Sequence, residues 1–377
     1  MRLRRLLSNA LLITAATGLV ACGEATEQNQ TEHVNVPEPE GIEALGAGED
    51  SLDAVDITVI ANGDQDLDGP RDVAINPEAT DQLWVVNRND NSVVVVFDPG
   101  TDEQTSERFN SMGSDHFLSK PAALAFGAPG VMATAQQEDE ITQPSTPADF
   151  MGPSMWPTDL EHFDAGHGSH YDMLHNSPLA SGIAWDKDNA YWVFDGHHGS
   201  ITRYDFQDDH GMGGADHSDG IIHRYVEGQV SVVNGIVAHL EEDHSTGLLY
   251  IADTGNNRLA VLDTNTGEEG DAIAKNYDGA TQHTMDDAEI STLVDGSDVG
   301  MAQPAGLALH DGHVYVGDNG SSTIYAFDLE GELVDSLDLS DRITPGGMMG
   351  LELDADGQIF VVDSEENAIL RVSPKGE

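Results

Sequence analysis

The sequence contains little cysteine and few basic residues. Cys22 is the only cysteine in 377 residues, so no disulfide forms within the chain. Lysine and arginine number 15 against 68 acidic residues, which gives a net charge of −53. The acidic residues are spread along the chain, and such a charge repels nucleic acid. We therefore exclude nucleic acid as a partner and expect a marine or halophilic source, where salt screens the acidic surface.

Common catalytic signatures are also missing from the sequence. It has no G-x-S-x-G nucleophile elbow and no Gly-Lys-[Ser/Thr] phosphate-binding motif. Aspartate and histidine are plentiful, but in so acidic a chain their abundance is weak evidence for acid–base catalysis. These absences favour a binding protein over an enzyme, and they leave metal-dependent chemistry open.

The amino-terminal segment predicts export. Three arginines in the first five residues precede an apolar run that is typical of a signal peptide and too short for a membrane span. The run ends in "LVAC" (19–22), which resembles a bacterial lipobox. The resemblance implies cleavage before Cys22 and a lipid on that residue, with the protein body soluble. Gly23 in place of aspartate favours the outer membrane.

Composition divides the chain into three regions. Residues 1–21 are the expected signal peptide. Residues 22–54 are acidic and polar with almost no aromatics, which predicts a disordered tether. Residues 55–377 are expected to form one β domain, with an insertion at about 142–178.

Internal repeats predict the architecture of this domain. Each repeat is a strand ending in Asp or Asn, a short polar turn and a second strand. Five copies align without gaps: "LWVVNRNDNSVVVVFD" (83–98), "YWVFDGHHGSITRYDF" (191–206), "LYIADTGNNRLAVLDT" (249–264), "VYVGDNGSSTIYAFDL" (314–329) and "IFVVDSEENAILRVSP" (359–374). A weaker sixth copy at 131–141 has Ala135 at the acidic position. The repeated acid is expected to cap its turn through backbone hydrogen bonds.

A small-residue strand such as "AGLAL" (305–309) precedes each copy, and a fourth strand usually follows. This pattern, repeated six times, resembles the NHL-repeat family, and "GLLYIADTGNNRLAVLD" (247–263) is the clearest copy. The resemblance implies an all-β fold, a six-bladed NHL-type β-propeller. The chain stops after the third strand of the last unit, so "VDITVI" (55–60) is expected to supply the missing outer strand and close the ring.

Histidines near the third repeat suggest a metal site on one face. The upper face is defined here as the one that carries the loops between the second and third strands and the connections between blades. Because the strands are antiparallel, the loops between first and second strands and between third and fourth strands lie on the lower face. His197 and His198 lie in a second-to-third turn. The insertion, interpreted as a connection between blades, adds His170 and His175. Three imidazoles at the channel mouth would suit a divalent transition metal, zinc first.

A second polar cluster falls in the loop between the third and fourth strands of the same blade. This loop belongs to the lower face, and its glycine-rich composition suits calcium through oxygen ligands or a transition metal through imidazoles. A solvated acidic loop without an ion is the competing interpretation. The residues concerned are Asp208, Asp209, His210, Asp216, His217 and Asp219.

One propeller enzyme, the peptidyl-hydroxyglycine amidating lyase, is distantly similar in fold and in its "YWVFD" type of strand. That resemblance implies zinc-binding histidines just before the inner-strand glycine in three blades. None of the matching positions here is histidine; they are Arg71, Ala122, Ser181, Asn234, Ala305 and Met349. The lyase chemistry is therefore not expected. Arg71 and Asn234 at the mouth are instead candidates to bind an anionic or polar ligand.

Two functions are compatible with these observations. The first is a lipid-anchored module in the bacterial cell envelope that binds a protein, glycan or small ligand at the propeller mouth. The alternative is a metal-dependent lyase or hydrolase, in which Asp172 or Asp195 acts as base beside the four upper histidines. Convergence of three imidazoles on one point would favour the enzyme.

Overall fold

The described part of the chain is built from six small β-sheets. The computed structural model describes residues 41–49, 51–110, 117–139, 152–163 and 169–376. Its sheets form the blades of a six-bladed β-propeller, which confirms the predicted all-β fold. No helix in these ranges is long and apolar enough to cross a membrane. Cys22, the predicted signal peptide and most of the predicted tether lie outside the described residues.

The first strand in the described residues belongs to the last blade, and the next twelve build blades 1 to 3. Within each blade the four strands run antiparallel from the channel outwards. The strands are β1 (Val55–Ala61); β2 (Pro70–Ile75), β3 (Gln82–Asn87), β4 (Ser92–Phe97) and β5 (Thr105–Phe109) in blade 1; β6 (Pro121–Phe126), β7 (Val131–Gln136), β8 (Ser154–Pro157) and β9 (Asp172–Met173) in blade 2; and β10 (Ala180–Lys187), β11 (Ala190–Asp195), β12 (Ser200–Asp205) and β13 (Ile221–Tyr225) in blade 3.

Blades 4 to 6 complete the ring. Their strands are β14 (Leu240–Asp243), β15 (Leu248–Asp253), β16 (Arg258–Asp263) and β19 (Glu289–Asp295) in blade 4; β20 (Pro304–His310), β21 (His313–Asp318), β22 (Thr323–Asp328) and β23 (Leu333–Asp338) in blade 5; and β24 (Met348–Leu353), β25 (Ile359–Asp363) and β26 (Ala368–Pro374) in blade 6. β1 pairs antiparallel with β26, with Ile57 opposite Val372. β1 is thus the fourth, outer strand of blade 6, and the predicted closure by residues 55–60 is confirmed.

Helical segments are short in the described residues. They are α1 (Leu160–Phe163), α2 (Gly296–Val299) and the 3-10 turns Glu43–Leu45, Leu52–Ala54, Gly63–Gln65 and Thr254–Asn256. The first of these turns falls inside the predicted disordered tether, but Leu45 is fully buried against blades 5 and 6. Asp335 holds this segment by accepting hydrogen bonds from the backbone N–H groups of Ile42 at 2.7 Å and Gly48 at 3.0 Å. The chain is thus ordered well before residue 55.

Small residues on the inner strands make room for large ones on the second strands. Ala74 lies opposite Trp84, and Ala184 lies opposite Trp192. Both tryptophans are buried between neighbouring blades, where each such side chain stabilises the fold by about 2–3 kcal/mol. Trp84 contacts Phe126 of blade 2 edge-to-face at 5.5 Å between ring centroids.

The acid that ends the second strand caps its own turn, as predicted, in blades 3, 5 and 6. In blade 4 the predicted cap is wrong, because Asp253 accepts instead from Ser231 N–H of the incoming connection at 2.8 Å. In blades 5 and 6 the acid also joins its turn to the incoming connection. Asp318 accepts from Ser321 N–H in its own turn at 2.8 Å and from Ala302 N–H at 3.0 Å. Asp363 does the same with Glu365 and Thr344. These buried carboxylates tie the end of one blade to the start of the next.

In blade 2 the equivalent residue is Gln136. It pairs with Pro121 as Asn87 pairs with Pro70, and its amide donates to Phe117 O at 2.8 Å. The assignment of Ala135 to this position was therefore wrong by one residue, because the weak copy lacks the polar turn that sets the alignment.

The predicted insertion at about 142–178 is not a simple upper connection. Residues 154–157 and 172–173 are the third and fourth strands of blade 2. The loop between them therefore belongs to the lower face.

The larger insertion lies in blade 4, between its third and fourth strands. It forms the hairpin β17 (Glu268–Ala272) and β18 (Thr281–Asp286). β18 pairs in parallel with β13, so the hairpin extends blade 3 to six strands rather than its own blade. Acidic side chains on β17 protect the new edge from further pairing.

The inner strand of blade 4 begins later than the sequence suggested. It is Leu240–Asp243, and Asn234 lies in a turn before it, with its side chain exposed. Ala252 N–H donates to His239 O, as Gly317 pairs with Gly306 in blade 5. The residue in register with Arg71 is therefore Ala238, not Asn234.

Candidate functional site

A ring of six residues surrounds the channel at the upper mouth. Each follows directly after the last residue of a second strand, and symmetry therefore places all six at one level. The residues are Arg88, Gln137, Gly196, Thr254, Asn319 and Ser364. Five of the six carry polar or charged side chains, so the mouth is lined with hydrogen-bonding groups.

Two arginines lie together at this mouth. Arg71 and Arg88 flank the Pro70–Asn87 pair where β2 and β3 meet the upper face. Burial and the positive charge of Arg88 lower the pKa of Arg71 to about 10, and the negative charge of Glu365 opposes the shift. Each arginine has a buried Nε without a hydrogen-bond partner among the described residues. Two adjacent guanidinium groups without such partners form a site for an anion.

Buried polar atoms without partners continue around the ring. Gln137 donates through Nε2 to Ile236 O at 2.8 Å and to Ser181 Oγ at 3.2 Å, which links blades 2, 3 and 4. Its Oε1 and the Ser364 hydroxyl have no hydrogen-bond partner among the described residues. The mouth therefore presents donors and acceptors that are held in place and unused, a pattern that suits a polar ligand.

Below the ring, two side chains from opposite blades meet across the channel. His239 Nδ1 of blade 4 lies 3.5 Å from Asp72 Oδ1 of blade 1, and both residues are buried. Leu124 N–H also donates to Asp72 at 2.9 Å. Burial raises the pKa of Asp72, and His239 partly offsets this. This contact separates the upper mouth from the lower half of the channel.

The lower half of the channel is an acidic cavity of about 200 Å³. It contains Glu241 and Glu352, which occupy equivalent positions on the inner strands of blades 4 and 6. Burial raises the pKa of Glu352 to about 8, and nearby Asp72 adds to the shift. Burial also raises the pKa of Glu241, with a further contribution from Glu352. Alanine occupies the same position in blades 1, 3 and 5.

The four predicted upper histidines do not converge. His197 and His198 lie in the second-to-third turn of blade 3, as expected, with their rings 4.8 Å apart. Asp195 accepts from both of their backbone N–H groups and contacts His198 Nδ1 at 2.7 Å. Asp195 therefore caps its turn, as its equivalents Asp318 and Asp363 do. These hydrogen bonds explain the position of Asp195 without the catalytic base role that the enzyme alternative gave it.

His170 and His175 are buried elsewhere. The His170 ring stacks on Phe117 at 3.9 Å between centroids, and His175 Nδ1 lies 2.6 Å from Asp278 of the blade 4 insertion. In the described residues, neither belongs to a group of metal-ligating atoms with His197 or His198. The expected three-imidazole site at the mouth is therefore not formed.

The four aspartates of the lower loop also point to different partners. Asp209, Asp216 and Asp219 each accept a backbone N–H within the loop, from Gly211, Ser218 and Asp208 respectively. All four are exposed. Their oxygens do not form a common group in the described part of the chain, so their observed role is to shape the loop.

One mixed cluster does converge on the lower face. The ligand atoms of Asp172, His210 and His217 all lie within 4.8 Å of one another. His217 Nδ1 contacts Asp172 Oδ1 at 2.7 Å, and the rings of His210 and His217 are 4.9 Å apart. Burial raises the pKa of Asp172, and its contact with His217 opposes this shift. The sequence assigned Asp172 to the upper face and the two histidines to the lower; the structure brings all three together.

Sequence reasoning did not identify several residues of these sites. Arg88 and Gln137 could have been found in the sequence, because both directly follow the polar residue that recurs at the end of the repeat strand. Glu352 was also visible, since "MGLEL" carries an acid where "AGLAL" has alanine. Glu241 was hidden by the wrong register in blade 4.

Comparison with known proteins shows the fold and no closer relationship. No protein-family model and no curated protein matches the chain. An auxiliary nutrient binding protein from Bacteroides thetaiotaomicron matches with a TM-score of 0.54 and 12% identity over 84% of this chain and 75% of that one. Its counterpart from Bacteroides ovatus matches with a TM-score of 0.51 and 13% identity over 85% and 76%. A luciferin-regenerating enzyme reaches 0.50 and 11% identity over 85% and 96%. At these identities the likeness establishes a six-bladed β-propeller.

Proposed function

We propose that this protein is a lipid-anchored propeller of the bacterial cell envelope that binds a small anionic, hydroxyl-rich ligand at its upper mouth. The observation that carries the proposal is the pair Arg71 and Arg88, each with a buried Nε that lacks a hydrogen-bond partner among the described residues. An acidic sugar has the required chemistry, since its carboxylate suits the guanidinium groups and its hydroxyls suit the polar ring.

The charge balance of the chain strengthens this argument. With 15 basic against 68 acidic residues, nearby carboxylates are abundant, yet these two arginines repel each other at the mouth. An anion placed between them removes that repulsion. The acidic surface opposes the approach of anions at long range, but salt screens this effect beyond about 8 Å at physiological ionic strength. A ligand with one localised negative charge is therefore favoured over a polyanion.

Two of the structural neighbours are called auxiliary nutrient binding proteins, and a binding role of this kind agrees with the proposal. The sequence also suggested a metal-dependent lyase or hydrolase at the mouth. That alternative depends on His170, His175 and one of the upper pair His197 and His198 meeting at one point. Because the described residues contain no such group, we base the function on the arginine pair.

The proposal is tested by calorimetric titration of the mature chain with glucuronate, galacturonate and sulfate, each beside neutral glucose. We expect a uronate to bind and glucose to bind far more weakly. Arg71→Ala and Arg88→Ala should each weaken uronate binding by about 10–100-fold, because each removes a charge-assisted hydrogen bond worth about 1.5–3 kcal/mol.

Arg108→Ala is the matched control. Arg108 lies on the outer strand of the same blade, is exposed and already pairs with Asp90 at 2.9 Å. This variant makes the same change in net charge and should bind like the wild type. Equal binding by Arg71→Ala and wild type, or no binding of any of these anions by the wild type, would refute the proposed site.

A further inference from the structure

The cluster of Asp172, His210 and His217 forms where two blades meet on the lower face. Asp172 begins the outer strand of blade 2, and the two histidines belong to the loop between β12 and β13 of blade 3. His210 N–H donates to Tyr171 O at 3.1 Å, which holds this loop against blade 2. The three side chains are therefore brought together by tertiary contacts between blades and not by local sequence.

The ring of His210 is fixed in the state that binds a metal. Its Nδ1 lies 2.6 Å from Gly211 O. A carbonyl oxygen can only accept, so Nδ1 carries the proton, and in the neutral ring Nε2 has a free electron pair. This Nε2 is buried without a hydrogen-bond partner among the described residues. Leaving such a buried acceptor unused is unfavourable, and a bound ion removes that cost.

A close backbone approach supports the same ring. A Cβ atom on Gly214 would lie 2.7 Å from His210 Nδ1, so glycine is required for the loop to fold over the imidazole. The His170 ring also packs edge-on against His210 at 5.1 Å between centroids. These contacts hold the orientation of His210, as the surroundings of metal ligands usually do.

The other two side chains supply a carboxylate and a second imidazole that is accessible from solvent. The Asp172 side chain is 1% exposed and that of His217 is 13% exposed. Two imidazoles with one carboxylate form a donor set for zinc or ferrous iron, whereas calcium prefers oxygen ligands alone.

We propose that Asp172, His210 and His217 bind a divalent transition metal, with zinc as the first candidate, and that the ion clamps blade 2 to blade 3. Metal–ligand bonds of about 2.0–2.2 Å hold neighbouring ligand atoms about 3–4 Å apart. Small side-chain rotations bring the three donors from their present spacing into this shell. The site is separate from the anion site at the mouth, and either can exist without the other.

The test uses residues 23–377, which leave out the predicted lipid-bearing Cys22, purified through a cleavable tag without histidines and stripped with EDTA. Zinc affinity is measured by competition with a chromophoric chelator, and cobalt substitution reports coordination from its visible spectrum. We expect about one tight zinc ion per chain and a higher melting temperature with zinc, because an ion that binds only the folded state stabilises it. His210→Ala and His217→Ala should each weaken zinc binding by more than about 100-fold, since even outer partners of ligands contribute 10–100-fold.

The double variant His197→Ala/His198→Ala is the matched control. It removes two neighbouring imidazoles of the same blade on the opposite face, of which that of His198 contacts Asp195. This variant should keep the zinc affinity, the cobalt spectrum and the zinc-dependent rise in melting temperature. The proposal would be overturned if the control lost as much zinc affinity as the His210→Ala and His217→Ala variants. It would also be overturned if a His210→Ala/His217→Ala double variant still bound zinc. Absence of tight zinc or cobalt binding in the wild type would do so as well.

Folding of the variants is checked without metal by circular dichroism and melting in EDTA. His210→Gln provides a second variant that keeps a hydrogen-bonding side chain of similar volume. It should fold like the wild type and still lose the zinc-dependent stabilisation. If His210→Gln retains that stabilisation, His210 is not a ligand and the proposed site is wrong.

Discussion

Glu352 in the lower channel should make the protein less stable as the pH rises. Burial raises its pKa in the folded protein from an ordinary 4.5 to about 8. A carboxyl with a raised pKa keeps its proton on folding, so the folded state binds more protons than the unfolded chain between these values. Its contribution to stability is complete below about pH 4.5 and is lost as the pH rises through about 8.

The size of the effect follows from the shift. Each pKa unit corresponds to about 1.4 kcal/mol. Because Glu352 is partly exposed, screening by solvent reduces the full value, and we expect about 2–3 kcal/mol of stability to be lost. Glu352→Gln keeps the shape and removes the titration. The variant should match the wild type near pH 4.5 and exceed it above pH 8, by about 4 °C in melting temperature for a domain of this length.

The assay is thermal unfolding from pH 4.5 to pH 9 at constant ionic strength. Glu107→Gln is the control, because Glu107 is exposed on the outer strand of blade 1. Its curve should run parallel to that of the wild type at every pH. If Glu352→Gln also runs parallel to the wild type, the carboxyl is ionised in the folded protein and the reasoning about its burial is refuted.

Two further outcomes are expected. Cys22→Ser should move the protein from the membrane fraction to the soluble fraction, measured by fractionation and immunoblotting; retention in the membrane would contradict lipid attachment at Cys22. Asp318→Ala should lower the free energy of unfolding in urea by about 1–3 kcal/mol, because it leaves the backbone donors of Ala302 and Ser321 unpaired. Asp311→Ala, which changes a side chain that is 90% exposed, should change the free energy of unfolding little. Equal losses in the two variants would contradict the role of Asp318 in joining neighbouring blades.

Much of the fold could be predicted because its signals are local. In blades 5 and 6 the turn after the second strand needs a carboxylate that accepts from nearby N–H groups, as Asp318 does from Ser321 and Asp363 from Glu365, so an acid recurs with the repeat. Blade 2 departs from this pattern. Its outer strand is only Asp172–Met173, which is too short to show alternation. As a result the loop between residues 157 and 172 was assigned to the wrong face, whereas residues 174–179 do connect blades 2 and 3 as predicted.

The sites could be predicted only in part. Arg71 was identified at the mouth from its place in the repeat. Its neighbour Arg88, which directly follows the second strand β3, was not considered. His210 and His217 were identified as possible ligands in one loop. Their carboxylate partner Asp172 lies about forty residues earlier and was assigned to the opposite face.

Short stretches of sequence were enough to predict the repeating strands, the number of blades and the closure by residues 55–60, because these features depend on local alternation and turn chemistry. Only the packing of the blades shows which distant side chains meet. It placed β18 beside β13 of another blade, aligned His239 with Asp72 across the channel and joined Asp172 to the blade 3 histidines. Such contacts depend on how blades pack around a common axis, and no local pattern of residues carries that information.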